Sequence, residues 1–230
     1  MVNVNVPPEN VVAQTHHVNK SVTMGLETIN ILNDVSLTIH GGTSSSISGI
    51  SGSGKTTLLG ILAGLDLPSS GTVSLLGQKL NDMNEDQRAQ LRCGRVGFVF
   101  QSFHLLPNLT ALENVSLALE VVPNSEQIRE RSLTALEHVG LSARSRHLPS
   151  QMSGGEQQRV ALARAIVTEP AILFADEPTG NLDHATSGQI EEMMFSLCKD
   201  FNSALVVVTH DKVLAERCDR HHVIEAGSLV

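Results

Sequence analysis

The segment GISGSGKTT, residues 49–57, narrows most sharply what this chain can fold into. It follows a strand-like stretch and opens the helical pattern TTLLGILAGL, which is the context a phosphate-binding loop requires. Gly49, Gly52 and Gly54, with Ser51 and Ser53 between them, let backbone N–H groups approach phosphate oxygens. The helix N-terminus adds positive potential. Lys55 is then placed to reach the β and γ phosphates, and the Thr56 hydroxyl, followed by Thr57, to bind Mg²⁺. A loop of this kind demands a strand before it and a helix after it, so an α/β fold is expected.

The rest of the chain agrees. Short apolar runs at residues 96–100, 172–175 and 204–209 alternate with helical patterns, as in strands joined by crossover helices in a mostly parallel sheet. Their nearly unbroken apolar character suits strands covered on both faces. Residues 35–39 and 71–76 read as antiparallel additions at one side. From about residue 102 to 167 helices dominate: Thr110 and Glu113 form a capping box, and Ser125 is expected to begin a helix ending near Gly140. This divides the chain into a core of residues 1–100 and 168–230 and an inserted helical lobe of residues 101–167.

Composition excludes several functions. A net charge of −8 over 230 residues, with both signs interleaved, offers no basic face to nucleic acid or anionic lipid. Cys93, Cys198 and Cys218 lack metal or disulfide spacing and read as reduced cytoplasmic thiols. The start of the sequence shows no secretory signal pattern. The longest apolar runs, 171–175 and 204–208, fall far short of the ~20 residues a membrane-crossing helix needs. Any membrane task therefore falls to a partner. His16, His17, His221 and His222 lack ligand spacing and are expected to be solvated.

Two further segments carry chemistry. In ILFADEP, a buried strand leads into adjacent carboxylates, so that Asp176 suits the coordination of Mg²⁺ and Glu177 can polarise an attacking water. In MSGGEQQRVALARA, Ser153 and Glu156 form a capping box, while Gly154 and Gly155 leave the first-turn N–H groups uncovered. A helix that only packed its Val160, Leu162 and Ile166 stripe has no need of two glycines, each costing ~1 kcal/mol in helix propensity. An uncovered helix N-terminus is a second phosphate-binding surface.

Taken in order, these motifs resemble the nucleotide-binding subunit of an ATP-binding-cassette (ABC) transporter over nearly the whole chain. The resemblance implies a RecA-like P-loop NTPase core with an antiparallel β side-sheet and an inserted α-helical subdomain. It identifies residues 49–57 with the Walker A loop, Gln101 with the Q-loop, Ser153, Gly154, Gly155 and Glu156 with the family signature, and Asp176 with Walker B. It also makes Glu177 the catalytic glutamate, Asp183 the D-loop aspartate and His210 the switch histidine. Within the family, ADEPTGNLD and VGFVFQSFHLLPNLTALENV resemble the group containing LolD, MacB and FtsE, and ILAGLD, SSGTVSLLGQ and FVFQSFHLLP look closest to the YbbA-type ATPases.

The resemblance implies ATP and Mg²⁺ as ligands, with Thr56, Gln101 and Asp176 toward the metal. It implies a head-to-tail homodimer in which each phosphate loop faces the partner copy's signature helix. It further implies a separate integral-membrane permease of MacB/FtsX type on the cytoplasmic face, with lipophilic cargo exported or extracted; the alternative is an FtsE-like regulatory ATPase that moves nothing. The chain lacks the coiled coils or zinc modules of DNA-maintenance relatives and the second cassette of translation factors. Two departures stand out. Val22 occupies the position where the family usually stacks an aromatic ring on adenine, and the strand feeding the phosphate loop reads TSSSIS instead of being apolar.

Overall fold

Residues 10–25 and 27–230 are described in the computed structural model. They form two compact units, one running through Leu91 and resuming with Val208–Val230, the other Arg92–Val207.

In the first unit, β1 (Val11–Met24) pairs antiparallel with β2 (Glu27–His40) on one side and with β4 (Ser70–Leu75) on the other; β5 (Gln78–Lys79) follows β4, and α2 (Glu85–Arg92) comes after it in the chain. The alternation in β2 is physical: Val35, Leu37 and Ile39 are buried while Asp34 and Ser36 are exposed. This is the antiparallel side-sheet anticipated for residues 35–39 and 71–76. Helix α1 (Lys55–Leu62) packs on β1, β2 and β4 and buries Leu58, Leu59, Ile61 and Leu62, each contributing roughly 1.5–3 kcal/mol.

The strand that feeds α1 is β3 (Ser44–Ser48), which pairs in parallel with β9 (Arg220–Glu225); β10 (Ser228–Leu229) adds antiparallel to β9. The serine run of β3 has a structural reason. The Ser44 N–H and O–H both donate to the Asp219 carboxylate, at 2.8 and 2.7 Å, and the Asp219 N–H donates back to Ser44 Oγ at 2.9 Å. Ser46 donates to the Arg220 carbonyl oxygen at 3.4 Å and lies 3.3 Å from the His221 ring nitrogen. Ser48 donates to the His222 carbonyl oxygen at 3.5 Å. Hydroxyls thus stitch the strand to the start of β9, where apolar side chains have nothing to offer. Among the β3 serines, only Ser45 keeps a buried hydroxyl with no partner among the described residues.

The same strand corrects the reading of the histidines. His16, His17 and His221 are exposed, with His17 Nδ1 2.5 Å from Asp34. His222 is half-buried, its Nε2 has no partner among the described residues, and burial, followed by the Arg220 and His221 charges, lowers its pKa. The two-residue period of β9 turns His222 inward with Ile224 while His221 and Val223 face out.

In the second unit, β6 (Val96–Phe100) and β7 (Ile172–Asp176) run parallel, with β8 (Ala204–Thr209) beside β7. Residues 172–175 are almost wholly inaccessible, as expected of strands covered on both faces. This unit also holds α3 (Ala111–Glu120), α4 (Ile128–His138) and α5 (Gly154–Ile166), which pack on one another, and α6 (His184–Asp200), which packs on α5. The Thr110 capping box forms as anticipated. Ser125 does not cap α4: its N–H closes a turn on Val122, its hydroxyl has no partner among the described residues, and the helix starts after Gln127 in a left-handed conformation. The helix does end near Gly140: its last residue is His138, and Gly140 (φ 69°) follows the cap, its N–H reaching the Glu137 carbonyl oxygen.

Cys198 and Cys218 are free and buried, and burial pushes both thiols up to about 12, so neither is a ready thiolate. Cys93 is free and half-buried. No helix among the described residues is long and apolar enough to cross a membrane.

Replacing Asp219 with alanine removes the acceptor for both Ser44 donors and strands a nearly buried hydroxyl. A loss of about 1–3 kcal/mol is predicted, read as a melting temperature several degrees lower. An unchanged melting temperature contradicts the assigned role of the serine run.

Candidate functional site

In the first unit, the chain leaves β3 at Ser48 and turns through residues 49–54 into α1. Gly54 sits at φ 106°, and a Cβ there would stand 2.8 Å from Leu32 Cδ2 and 2.9 Å from the Ile31 carbonyl oxygen, so both torsion and space demand glycine. The Lys55 ammonium donates to the carbonyl oxygens of Gly49 and Ile50, each at 2.9 Å, and the residue is only 8% exposed. The loop is therefore wrapped around its own cation. The Ser53 N–H donates to Ile50 at 3.2 Å, and Ser53 Oγ is buried without a partner among the described residues. Ser51, Gly52 and Thr56 are exposed and Thr57 is half-buried. The first turn of α1 has no acidic residue and no side-chain cap, so its N-terminal field is unopposed and favours an anion.

His210 belongs to the same unit and is brought to the loop. Together with Ser48, Gly49, Ile50, Lys212 and Val223 it lines a pocket of about 900 Å³. Its placement follows from Asp211, whose carboxylate caps α7 (Lys212–Glu216) and whose N–H donates to Thr209 Oγ1 at 3.0 Å. Val22 lies on β1, 40% exposed, opposite Ile29 at 50%. The position expected to offer an aromatic ring thus offers an aliphatic pair.

In the second unit, Asp176 ends β7 half-exposed, and Glu177 follows with φ 47°. A left-handed glutamate costs of order 1–3 kcal/mol and persists only where its surroundings hold it. Gln101 follows β6, at the register where Phe100 meets Asp176. Its amide donates to Asn181 Oδ1 at 2.9 Å, and the Asn181 amide donates back to the Gln101 carbonyl oxygen at 3.0 Å. The loops carrying Gln101 and Glu177 are thereby joined by a reciprocal amide pair.

Ser153 caps α5. Its Oγ accepts the Glu156 N–H at 3.2 Å, and the Glu156 carboxylate accepts the Ser153 N–H at 2.9 Å and stands 3.2 Å from Arg144. The Ser153 backbone bond is the main cause holding the Glu156 carboxyl below its usual range. The two glycines prove unequal. A Cβ at Gly155 would lie 2.5 Å from Thr186 Cγ2, so close packing against α6 requires it, whereas at Gly154 the nearest atom is an ordinary 3.4 Å away. Packing accounts for Gly155 and does not account for Gly154. Asp183 caps α6, accepting the N–H groups of Ala185 and Thr186 at 3.1 and 3.0 Å, and its hydrogen bonds to Thr186 are the main cause holding its carboxyl low. That carboxylate, expected to face nucleotide, serves its own helix here.

Sequence reasoning missed three supporting residues. Besides Asn181, Arg164 donates to the carbonyl oxygens of Phe103 and His104, at 2.9 and 2.6 Å. Asn114, wholly buried, donates to those of Leu106, Leu109 and Thr110 and accepts the Leu106 N–H. Together they fix the loop after Gln101. Their signal was present in the quoted GNLD, ALARA and ALENV segments, as amide and guanidinium groups beside loops dense in carbonyls.

The sequence pattern of the family described as ABC transporter matches residues 32–180. The chain is 54% identical over 215 residues to the ABC transporter ATP-binding protein YbbA of Escherichia coli (strain K12), covering 93% of this chain and 94% of that protein. It is 49% identical to the lipoprotein-releasing system ATP-binding protein LolD of Legionella pneumophila (strain Lens), covering 91% and 93%. Among solved structures, a dimeric post-hydrolysis state of the ATP-binding cassette MJ0796 bound to ADP and Pi is similar, with a TM-score of 0.86 and 40% identity over 94% of this chain and 96% of that one. With its phosphate loop, capped signature helix and strained post-strand glutamate, the chain belongs to the ABC transporter family, as an ATP-binding cassette ATPase.

Proposed function

We propose that this chain works as a homodimer closed around two ATP molecules and drives a separate membrane permease of the MacB/FtsX kind from the cytoplasmic face. The observation that carries the reading is the pairing of the glycine loop wrapped on Lys55, whose helix start is free of acidic residues and caps, with the Ser153-capped start of α5, where Gly154 leaves the backbone without a side chain. MJ0796 is dimeric with ADP and Pi and 40% identical to this chain, which supports a nucleotide-bound dimer here. LolD relatives named for lipoprotein release support a lipophilic cargo.

In this proposal the N–H groups of residues 49–57 hold the β and γ phosphates, with Lys55 donating to their oxygens. Residues 101–167 act as the helical lobe, and Ser153, Gly154 and Gly155 approach the γ-phosphate bound by the partner copy. Asp183 stays at the D-loop, holding α6 beside Gly155. Glu177 orients and deprotonates the attacking water, while His210 and Gln101 contact the γ-phosphate and the water.

The donor set suits Mg²⁺. The Thr56 hydroxyl, Asp176 carboxylate and Gln101 amide all offer oxygen, and no group of three or more His, Cys, Asp or Glu side chains that could cage a metal occurs among the described residues. Magnesium is ordinarily held by one or two carboxylates together with phosphate oxygens. When bound, it neutralises charge on the phosphates.

Glu177→Gln is predicted to keep nucleotide binding, slow hydrolysis by roughly 10²-fold or more, and yield a stable dimer in Mg-ATP by size exclusion. Turnover near that of the unaltered protein contradicts the role given to Glu177. Because Val22 and Ile29 supply no ring, about 0.5–1.5 kcal/mol of base stacking is forgone and ATP and GTP should bind with comparable affinity. A strong preference for ATP in parallel titrations argues against an aliphatic base platform.

A further inference from the structure

Gln158 lies on the second turn of α5 and is wholly inaccessible. Its side-chain amide donates to the carbonyl oxygen of Phe100 at 3.4 Å and to that of Pro178. Its Oε1 is buried with no partner among the described residues. Exchanging the amide N and O would set oxygen against two carbonyl oxygens, so the orientation follows from the contacts.

Phe100 immediately precedes Gln101, and Pro178 immediately follows Glu177. One side chain on the signature helix therefore grips the backbone beside both loops that carry hydrolysis. The amide satisfies two backbone carbonyl oxygens at the cost of leaving its own Oε1 buried without a partner among the described residues, so it fastens these two loops in particular while adding little net stability. Glu177 has a left-handed backbone, with the Gly180 N–H on its own carbonyl oxygen and the Gln158 amide on its neighbour's, so both bonds bear on the strained turn.

We propose that Gln158 is a positioning residue for ATP hydrolysis, transmitting movement of the signature helix to the backbone on which Gln101 and Glu177 are mounted. The proposal rests on the hydrolytic roles given to those two residues. It differs from a purely structural fastening because displacement of α5 then changes the rate of the chemical step and not the affinity for nucleotide.

The test uses the full chain with Gln158→Met and Gln158→Glu. With Gln158→Met, kcat is expected to fall at least about tenfold while KM and the affinity for a fluorescent ATP analogue stay within about twofold. Hydrogen exchange at residues 101–103 and 177–181 is expected to quicken without nucleotide. With Gln158→Glu, the rate relative to the unaltered protein is expected to be lowest at about pH 8.5 and to recover toward about pH 6, because a buried carboxyl regains its proton and again donates to a carbonyl oxygen.

Unchanged kcat and unchanged loop exchange in Gln158→Met overturn the proposal. So does a rate ratio for Gln158→Glu that is flat with pH, which also decides the matter if Gln158→Met does not fold. Undiminished turnover in Glu177→Gln removes the role of Glu177 instead, and the exchange measurement still reports separately whether Gln158 holds the two loops.

Discussion

Two N–H donors of the Lys55 ammonium hold the carbonyl oxygens of Gly49 and Ile50, and this shapes the phosphate loop. A chain that must aim several backbone N–H groups at one anion has to turn their carbonyls elsewhere, and a cation at the centre of the loop gives two of them a partner. The constraint reaches outward. Gly54 must lack a side chain because Leu32 and Ile31 of the side-sheet press against it, and α1 is fixed by burying its apolar face on that sheet. Even the unusual β3 serves this end, since its hydroxyls anchor the strand to Asp219 and to the backbone of β9 so that it delivers the loop at a defined position.

The second unit follows a related logic with helices and loops. Ser153 and Glu156 cap each other at the α5 N-terminus, and the helix is pressed close to α6 because Gly155 admits Thr186. Asp183 completes the arrangement by capping α6. Most of the polar groups that matter here bond to backbone: Arg164 and Asn114 fix the loop after Gln101, and Gln158 reaches the residues flanking Gln101 and Glu177. Loops fixed by carbonyl contacts can hold a strained residue such as Glu177 that a freely solvated loop would release.

Features whose partners lie within a few residues were legible in the sequence. The capping boxes at Thr110 and Ser153 and the phosphate loop are of this kind, and the continuous apolar runs of β7 and β8 announce strands covered on both faces. Features whose partners lie far along the chain were not. The serine run looked like a weakness because Asp219 stands 175 residues from Ser44, and the tie between Gln101 and Asn181 spans 80 residues. Helix α4 starts later than Ser125 suggests because Gln127 takes a left-handed conformation that its residue type does not announce. His222 is drawn inward by the alternation of β9, a pattern that its neighbour His221 masks in the sequence.

The central claim is that each nucleotide is enclosed by the phosphate loop of one copy and the signature helix of another. Disulfide formation between a Ser51→Cys copy and a differently tagged Gly154→Cys copy tests it most directly, with Cys93 replaced by serine in both. Ser51 is exposed and a side chain at Gly154 meets only ordinary contacts, so both positions tolerate the probe. A covalent heterodimer is expected to accumulate with Mg-ATP and to stay scarce without nucleotide. Equal yields with and without Mg-ATP, or bridging only within one chain when both cysteines are placed in the same copy, contradict it.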